Sequence, residues 1–537
     1  MFHIPTPLNA LIKTAAWTAL SLLATSTSVY ANCDNTDIKP GLKQQFSTSW
    51  GIEYSGERFQ SSAKTSINAN NASTLSLKWA YGLSTNRPRS YPLVTEDTIF
   101  IGDGGNGLVA LDKETGCVRW ENTSIKDIST SIVSEQVDGR TVLVFSGRLS
   151  GVHAVDASTG DKIWTSAPKV HPVPMFSGSP LAYKDTVFVP ISSMEIGLSA
   201  NPFYGCCTTS GGMAALDIRT GELLWYRPTV EEAGSVVTGT HFLFVEKRGP
   251  SGAPVWGSPM LDTKRDLLFY GSGQNYSLPA SLTSDAIFAV HIKTGEIAWV
   301  EQFTAGDTFN MACTTSVDHP NCPSTMGPDV DFGAPPLLTQ MPSGEDILIA
   351  GQKSGQVYGI NPDNGKTVWS TRFGRGGPLG GVHWGIAANP ELGLAFIPIS
   401  DVPAFPSDLP PAPGLYAVDV KDGSLRWSVE REAACEERSC WAGLSAAITA
   451  GPNIVVAGAM DGMLEIYRAD DGEKLWSYNT KKEYDAVNAL PTKGGTLDAH
   501  GAMLAGDLLI VSSGYGSFQQ QEGNALLVFG TTEEQAQ

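Results

Sequence analysis

Apolar residues along this chain fall in short runs in which apolar and polar positions alternate. One such run recurs in a fixed setting, ending at an Asp or an equivalent residue, with a Gly after it and a Trp four positions after that Gly. The first copy runs from Ala110 through Asp112 and Gly116 to Trp120. A period of two predicts β-strands, and the Asp and the Gly predict a tight turn between two of them.

The same unit recurs along most of the chain. Seven copies end at Trp120, Trp164, Trp225, Trp299, Trp369, Trp427 and Trp476. Consecutive members of this series lie 44 to 74 residues apart, which is typical of propeller blades with four strands each. A Trp that enters the contact between two blades would bury a large area there, and its N–H would need an acceptor.

The two ends of the repeat region predict an eighth blade. Residues 75–80 read as a strand before the first copy, and residues 525–529 as a strand after the last. A closing blade built from both would leave the ring without exposed edges, whereas the alternative is a seven-bladed ring with loose ends. The chain shows no linker, so we predict one all-β, eight-bladed β-propeller over residues 32–530 and a tail over 531–537.

The composition agrees with this architecture and excludes other classes. Of the 537 residues, 57 are Gly, 33 are Pro and 13 are Trp, while only 17% are charged. Such a chain is too rich in Gly, Pro and aromatic residues for a helical bundle or a coiled coil. A hydrophobic share of 42% supports a large core, and the net charge of -19 argues against binding to nucleic acid.

Residues 1–31 have the layout of a secretory signal peptide. Lys13 is the only charged side chain, residues 14–23 are apolar, and Ala31 completes a small-residue cleavage site. The alternative is a membrane anchor, but the apolar run falls short of the roughly 20 residues that span a bilayer. We therefore expect an exported protein that is cleaved near Ala31 and has no membrane span.

Export would allow disulfides among the eight cysteines. Two pairs, Cys313–Cys322 and Cys435–Cys440, would close local loops. Cys33 and Cys117 would then be left to pair with each other, and Cys206 and Cys207 are adjacent. Sequence alone does not determine this connectivity. The chain has no Cys-x-x-Cys-His motif for covalent haem and no Cys/His set with the spacing of zinc ligands.

The Trp repeat resembles the Trp-docking motif of quinoprotein alcohol dehydrogenases, which are eight-bladed propellers that bind pyrroloquinoline quinone (PQQ) and calcium on the propeller axis. Further segments resemble the polyvinyl-alcohol dehydrogenase branch of that family. These segments are 58–60, 115–117, 205–208, 327–333, 351–355, 380–385 and 513–516. The resemblance covers nearly all of the chain after the predicted signal peptide.

The resemblance implies a quinone held between Trp256 and a disulfide of the adjacent residues Cys206 and Cys207. Such a disulfide would offer a rigid apolar surface, and indole favours stacking on a planar ring. The alternatives are disulfides from these cysteines to distant partners and a core role for Trp256. The family branch usually has an Arg soon after the cysteine pair, but Thr209 and Ser210 follow here. A cation that anchors a quinone carboxylate is therefore missing or supplied elsewhere.

The resemblance also implies a calcium site. Its ligands would be Glu195, Asp331 and an amide oxygen of Gln274 or Asn275, because calcium prefers oxygen ligands. Asp331 corresponds to the catalytic aspartate that takes the hydroxyl proton of an alcohol, and Asp329 is the fallback for that role. The alternative for each residue is an ordinary place at a turn or a strand end.

Three more residues complete the implied site. Lys353 corresponds to a cation near the reactive carbonyls of the quinone, where positive charge would stabilise the reduced oxygen; the alternative is a solvated turn residue. Trp384 and Tyr515 are expected to line the axial pocket. His383 is expected to be structural or to lie at the rim.

The sequence thus predicts a periplasmic, PQQ- and calcium-dependent alcohol dehydrogenase. Because the chain lacks a haem motif, we expect a separate cytochrome c to accept the electrons. Polymeric, secondary and sugar alcohols are not distinguished at this level, because loops set the substrate. The main alternative is a non-catalytic propeller that scaffolds partners, which would not need Cys206, Cys207, Glu195 or Asp331. A propeller hydrolase or carbohydrate-binding module has no supporting motif.

Overall fold

The computed structural model describes residues 33–34, 38, 44–242, 244–402, 409–436, 440–517 and 520–532. The predicted signal peptide, residues 1–31, lies outside these ranges, as do the last five residues of the predicted tail. Among the described residues, no helix combines the length and the apolar character that a membrane crossing needs.

Eight antiparallel sheets form the blades, which we number in chain order, with the blade formed from the two chain ends as blade 8. Blade 1 contains Leu93–Val94, Thr98–Gly102, Leu108–Asp112 and Val118–Asn122; blade 2 contains Val133–Val137, Arg140–Gly147, Gly151–Asp156 and Lys162–Ser166. Blade 3 contains Pro174–Met175, Leu181–Tyr183, Thr186–Ser193, Gly212–Asp217 and Leu223–Pro228; blade 4 contains Met260–Asp262, Leu267–Gly271, Ala286–His291 and Ile297–Gln302.

The remaining blades repeat the pattern. Blade 5 contains Leu337–Gln340, Asp346–Gly351, Gln356–Ile360 and Thr367–Arg372; blade 6 contains Ala387–Asn389, Leu394–Ile399, Gly414–Asp419 and Leu425–Glu430. Blade 7 contains Thr449–Gly451, Ile454–Gly458, Met463–Arg468 and Lys474–Asn479; blade 8 contains Met503–Ala505, Leu508–Ser513, Ala525–Thr531 and Leu75–Gly82.

The connections between these strands contain short secondary-structure elements. Three two-stranded ribbons pair Val236–His241 with Val245–Gly249, Ser251–Gly252 with Asn275–Ser277, and Glu483–Tyr484 with Thr492–Lys493. The helical turns are the 3-10 segments Ala72–Thr74 and Gly104–Asn106 and the α segments Glu195–Leu198 and Ala312–Thr315.

Blade 8 closes the ring with strands from both ends of the chain, as predicted. Leu75–Gly82 pairs antiparallel with Ala525–Thr531, from Leu75 opposite Thr531 to Gly82 opposite Ala525. The closure covers a strand edge that would otherwise be exposed. The prediction of eight blades is therefore confirmed, and the seven-bladed alternative is excluded.

The repeat tryptophans join each blade to the next. Trp120 donates its indole N–H to the carbonyl oxygen of Ala157 at 3.2 Å, and its ring lies against Gly160. That glycine has φ of +75°, and a Cβ on it would stand 2.7 Å from the ring. The turn thus requires Gly for its backbone conformation and for the close approach of the indole.

An eighth indole completes the series, although it was not among the seven sequence repeats. Trp79 of blade 8 donates to the carbonyl oxygen of Lys113 at 3.2 Å and packs on Gly116 of blade 1. Trp476 of blade 7 in turn donates to the carbonyl oxygen of Leu75 at 3.1 Å. The same docking contact therefore links the blades on both sides of the chain ends.

Two further features hold the ring. All four predicted disulfides are present: Cys33–Cys117, Cys206–Cys207, Cys313–Cys322 and Cys435–Cys440. Arg58 is fully buried and donates to the carbonyl oxygens of Ile448 at 2.7 Å, Trp50 at 2.8 Å and His500 at 2.9 Å. The bonds to Ile448 and His500 tie the segment before Leu75–Gly82 to residues that lie just before strands of blades 7 and 8.

Candidate active site

A cavity of about 710 Å³ lies where the blades converge. Its wall is built from segments that adjoin blades 1 to 6 and blade 8, so it lies on the propeller axis. The volume falls within the range of sites for small ligands and cofactors. The predicted site residues in its wall are Trp256, Gln274, Asp331, Lys353, Trp384 and Tyr515.

Asp331 forms the centre of a buried hydrogen-bonded cluster. Its Oδ2 accepts a bond from Trp256 Nε1 at 2.9 Å and one from Lys353 Nζ at 3.0 Å, while its Oδ1 accepts from the backbone N–H of Gln274 at 2.9 Å. Lys353 Nζ also donates to Oδ1 of Asp329 at 3.1 Å. Asp329 and Asp331 lie in the loop before blade 5, and Lys353 lies in a turn between two strands of blade 5. Together they place one cation between two carboxylates.

Charge and burial tune this cluster. Burial raises the pKa of Asp329 to about 7, while the cation of Lys353 opposes the rise and the negative charge of Asp331 adds to it. Burial works against the ammonium of Lys353, but the two carboxylates outweigh burial and raise the pKa of Lys353 above its usual value. Lys353 therefore stays protonated at neutral pH, whereas Asp329 gains or loses its proton near neutral pH.

The structure separates the two amides that the sequence left as alternatives. Gln274 lines the cavity, and its buried Oε1 has no hydrogen-bond partner within the described part of the chain. The side chain of Asn275 instead accepts from the backbone N–H of Ser281 at 2.8 Å and donates to the carbonyl oxygen of Ser251 at 2.9 Å. Only the Gln274 amide is available to a ligand in the cavity.

Glu195 is fully buried, and it is not among the described residues that line the cavity. Its carboxylate accepts bonds from Tyr204, from the backbone N–H and hydroxyl groups of Thr208 at 2.9–3.2 Å, and from those of Thr209 at 2.6–2.8 Å. Both oxygens are thus occupied by the loop that follows the paired cysteines. To hold a cation, Glu195 would have to give up some of these donors.

The Cys206–Cys207 disulfide packs with Tyr276, Ile196 and Tyr204 in a small apolar cluster. Tyr276 and Ile196 line the cavity, but the disulfide is absent from the lining that the structure describes. It therefore supports the wall of the cavity from behind these two side chains.

An aromatic wall continues from Trp256. The ring centroids of Trp256 and Trp384 lie 5.6 Å apart in an edge-to-face arrangement, and those of Trp384 and Tyr515 lie 6.2 Å apart. His383 also lines the cavity, as a buried side chain 2.7 Å from Ser445 Oγ. Burial and nearby cations lower the pKa of His383 to about 3, so its ring is neutral at pH 7.

Sequence reasoning missed two cations and two aromatic residues of the cavity wall: Arg89, Arg148, Tyr276 and Phe309. Arg89 precedes blade 1 and Arg148 lies in a turn of blade 2, and neither belongs to a recognisable motif. No local signal in the sequence marks them, because only ring closure brings them to the axis.

The chain has clear relatives. Residues 63–243 and 288–535 match the family model described as "Outer membrane protein assembly factor BamB". The chain is 31% identical over 497 residues to a polyvinylalcohol dehydrogenase of Pseudomonas sp, which covers 89% of this chain and 76% of that protein. A polyvinylalcohol dehydrogenase of Sphingopyxis sp. (strain 113P3) is 30% identical over 499 residues, with 91% and 75% covered. The chain belongs to the quinoprotein alcohol dehydrogenase family.

Structural similarity supports the same fold. The crystal structure of a quinohemoprotein alcohol dehydrogenase from Comamonas testosteroni matches this propeller with a TM-score of 0.67 at 18% identity, covering 92% of this chain and 81% of that one. The matching family model carries the name of an assembly factor, but both relatives at about 30% identity are dehydrogenases. The prediction of an oxidoreductase is confirmed over the scaffold alternative.

Proposed function

We propose that this enzyme is a periplasmic, PQQ- and calcium-dependent dehydrogenase that oxidises alcohols, including secondary and polymeric ones, and passes the electrons to a separate cytochrome c. The observation that carries the proposal is the cluster of Asp331, Lys353 and Trp256 on the wall of a cofactor-sized axial cavity. The names of the two relatives favour a polymeric alcohol. The predicted signal peptide favours export.

The residues present fit a calcium ion beside Asp331. A buried amide oxygen without a donor is costly, and Gln274 Oε1 is such an atom. Carboxylate and amide oxygens are the ligands that calcium prefers. Gln274 Oε1 would hold the ion, with the carboxylate of Asp331 beside it. Glu195 and Asn275 would serve elsewhere, the first at the cysteine loop and the second at the turn around Ser281.

The cavity wall also fits a planar quinone. Trp256 is partly exposed in the cavity and packs closely on Gly333, where a Cβ would collide with the indole. Lys353 Nζ lies 5.6 Å from the centre of the Trp256 ring, at a place where it can stabilise an anionic oxygen. When bound, PQQ supplies a two-electron acceptor and calcium supplies a Lewis acid.

Asp331 is the residue that would take the hydroxyl proton of the alcohol. A carboxylate offers about four lone-pair sites, and Asp331 uses two on Oδ2 and one on Oδ1. Oδ1 therefore keeps a site for a substrate hydroxyl. Trp256 and Lys353 hold the other oxygen and so orient the carboxylate toward the substrate.

The direct test is reconstitution of the apo protein with PQQ and Ca²⁺, followed by reduction of an electron-accepting dye with primary, secondary and polymeric alcohols. Asp331→Asn should retain bound quinone and lose at least about 100-fold in turnover, because general base catalysis contributes about that much. Asp266→Asn, an exposed position with φ of +53°, is the matched control. An active Asp331→Asn variant together with an inactive Asp329→Asn variant would move the base to Asp329.

The same preparation tests the electron acceptor. With substrate present, the reconstituted enzyme should reduce added cytochrome c, while the apo protein should not. A protein that binds no quinone and oxidises no alcohol would overturn the proposed function.

A further inference from the structure

Two arginines of the cavity wall, Arg89 and Arg148, have no carboxylate oxygen within 4.0 Å among the residues that the structure describes, although Asp498 and Asp127 act on Arg89 from a greater distance. Arg58, which is fully buried, also has no carboxylate partner among the described residues, but it donates to backbone carbonyl oxygens. Arg431 bonds to Asp461 and Glu465, and Arg265 bonds to three aspartates. For Arg89, which is half-buried, a guanidinium without an anionic partner is costly, because the group stays protonated at any relevant pH; Arg148 is exposed.

Arg89 is held in place by its contacts, but not all of its N–H groups have a hydrogen-bond acceptor among the described residues. Its Nη2 donates to the carbonyl oxygen of Ser177 at 3.0 Å, and its guanidinium carbon lies 4.8 Å from the ring centre of Trp384. Its Nε is buried and has no acceptor within the described residues, and neither has Nε1 of Trp384. Two buried N–H donors beside one positive charge thus lack an acceptor on the same part of the wall.

Arg148 adds a second positive charge on this side of the cavity. Its Nε contacts Sδ of Met175 at 3.1 Å, a weak acceptor, and its side chain is exposed. Lys353 lies at the far end of the aromatic wall, beside Trp256, while Arg89 lies beside Trp384. A flat ligand with acidic groups on one side and carbonyl oxygens on the other matches this distribution of charge.

We propose that Arg89 anchors a carboxylate of the bound quinone, with Arg148 adding attraction, and that these two residues supply the positive charge missing after Cys207. PQQ is an aromatic tricarboxylate, so it brings the negative charge that is absent from the part of the wall next to Arg89. Guanidinium and carboxylate groups form charge-assisted bonds that are stronger than neutral ones. The inference rests on the proposed function, because it assumes that the cavity takes this cofactor.

The test measures cofactor affinity rather than activity. Apo protein in Ca²⁺ is titrated with PQQ, and binding is followed by quenching of tryptophan fluorescence and checked by equilibrium dialysis. Arg89→Gln should weaken PQQ binding roughly 10- to 100-fold, the usual effect of losing one hydrogen bond to a charged group. Arg89→Lys should recover part of the affinity. Arg87→Gln, an exposed position of the same loop, is the control and should bind PQQ as the wild type does.

Two further measurements show whether Arg89 binds a carboxylate of PQQ or a carboxylate of the substrate. PQQ with its carboxylates esterified should bind the wild type weakly, and Arg89→Gln should cause little additional loss with this ester. If the variant instead binds PQQ normally but raises the KM of an acidic alcohol, the arginine serves the substrate and the proposal is overturned. Where Arg89→Gln fails to fold, Arg148→Gln should weaken PQQ binding a few-fold, and unchanged binding would count against the proposal.

The two proposals fail in different ways. If the wild type binds PQQ and oxidises alcohols while Arg89→Gln binds PQQ with wild-type affinity, only the anchor assignment is wrong. If the wild type binds no PQQ at all, both the proposed function and the anchor assignment are wrong.

Discussion

Replacement of Lys353 by Met tests the charge cluster at the centre of the site. The Lys353 side chain is only 7% exposed, and its Nζ lies 3.0 Å from Asp331 Oδ2 and 3.1 Å from Asp329 Oδ1. Methionine has similar length and apolar bulk but no charge, so the substitution leaves two buried carboxylates without their cation. Removing one partner of a buried ion pair costs about 3–5 kcal/mol.

The loss should depend on pH. Burial raises the pKa of Asp329 to about 7, so this carboxyl is neutral at pH 5 and no longer pairs with Lys353 as an anion. Because the pKa in the folded state exceeds that of the unfolded chain, Asp329 lowers stability as the pH rises through 7. Without Lys353 the folded pKa of Asp329 rises further. The destabilisation should therefore be larger at pH 8 than at pH 5, by up to about 1.4 kcal/mol, which is the value of one pH unit above a pKa of about 7.

The assay is urea unfolding of the apo protein with its disulfides intact, followed by tryptophan fluorescence at pH 5 and pH 8. The midpoint difference between wild type and Lys353→Met, multiplied by a shared slope, gives the change in the free energy of unfolding. Lys169→Met is the control, because Lys169 is exposed. A loss that is equal at both pH values, or no larger than that of the control, would refute the description of this cluster as a buried ion triad.

Other predictions address calcium and ring closure. Gln274→Ala should raise the calcium concentration needed for half-maximal activity at least several-fold, whereas Asn275→Ala should leave it unchanged and lower stability by about 1–3 kcal/mol through its lost hydrogen bonds. Equal calcium dependence in both variants would contradict the assignment of the amide. Trp79→Ala should destabilise the propeller by about 3–5 kcal/mol, as for other buried aromatic residues, and a loss below 1 kcal/mol in urea unfolding would contradict its docking role.

Much of the fold was predictable because its physics is local. The Asp and Gly of each repeat form a turn within a few residues, and Trp120 or Trp164 docks at a spacing that the repeat itself reveals. Trp79 does not fit this pattern because its strand, the first in the described part of the chain, has no Asp–Gly turn before it. Its docking partner, Gly116, is nearby in sequence, but only the pairing of the two chain ends makes this strand part of a blade.

The residues of the site could be predicted only where the chain resembles the quinoprotein alcohol dehydrogenase family. Asp331, Lys353 and Trp256 meet as expected, yet they are separated by up to 97 residues, so nothing local in the sequence requires their contact. Gln274 and Asn275 could not be separated from sequence, since adjacent residues of an extended chain point in opposite directions and the pattern does not say which one faces the axis.

By itself, the sequence determined the blade type and predicted eight blades, because turns and strand periods depend on neighbouring residues. It predicted a pairing of the cysteines without determining it, since Cys33 and Cys117 lie 84 positions apart. Only the tertiary structure decided which side chains share the axis. Arg89 and Tyr515 stand 426 positions apart, and both line one cavity only because the closed ring brings segments of seven blades together. Convergence of that kind depends on the geometry of the closed ring, which no single stretch of sequence contains.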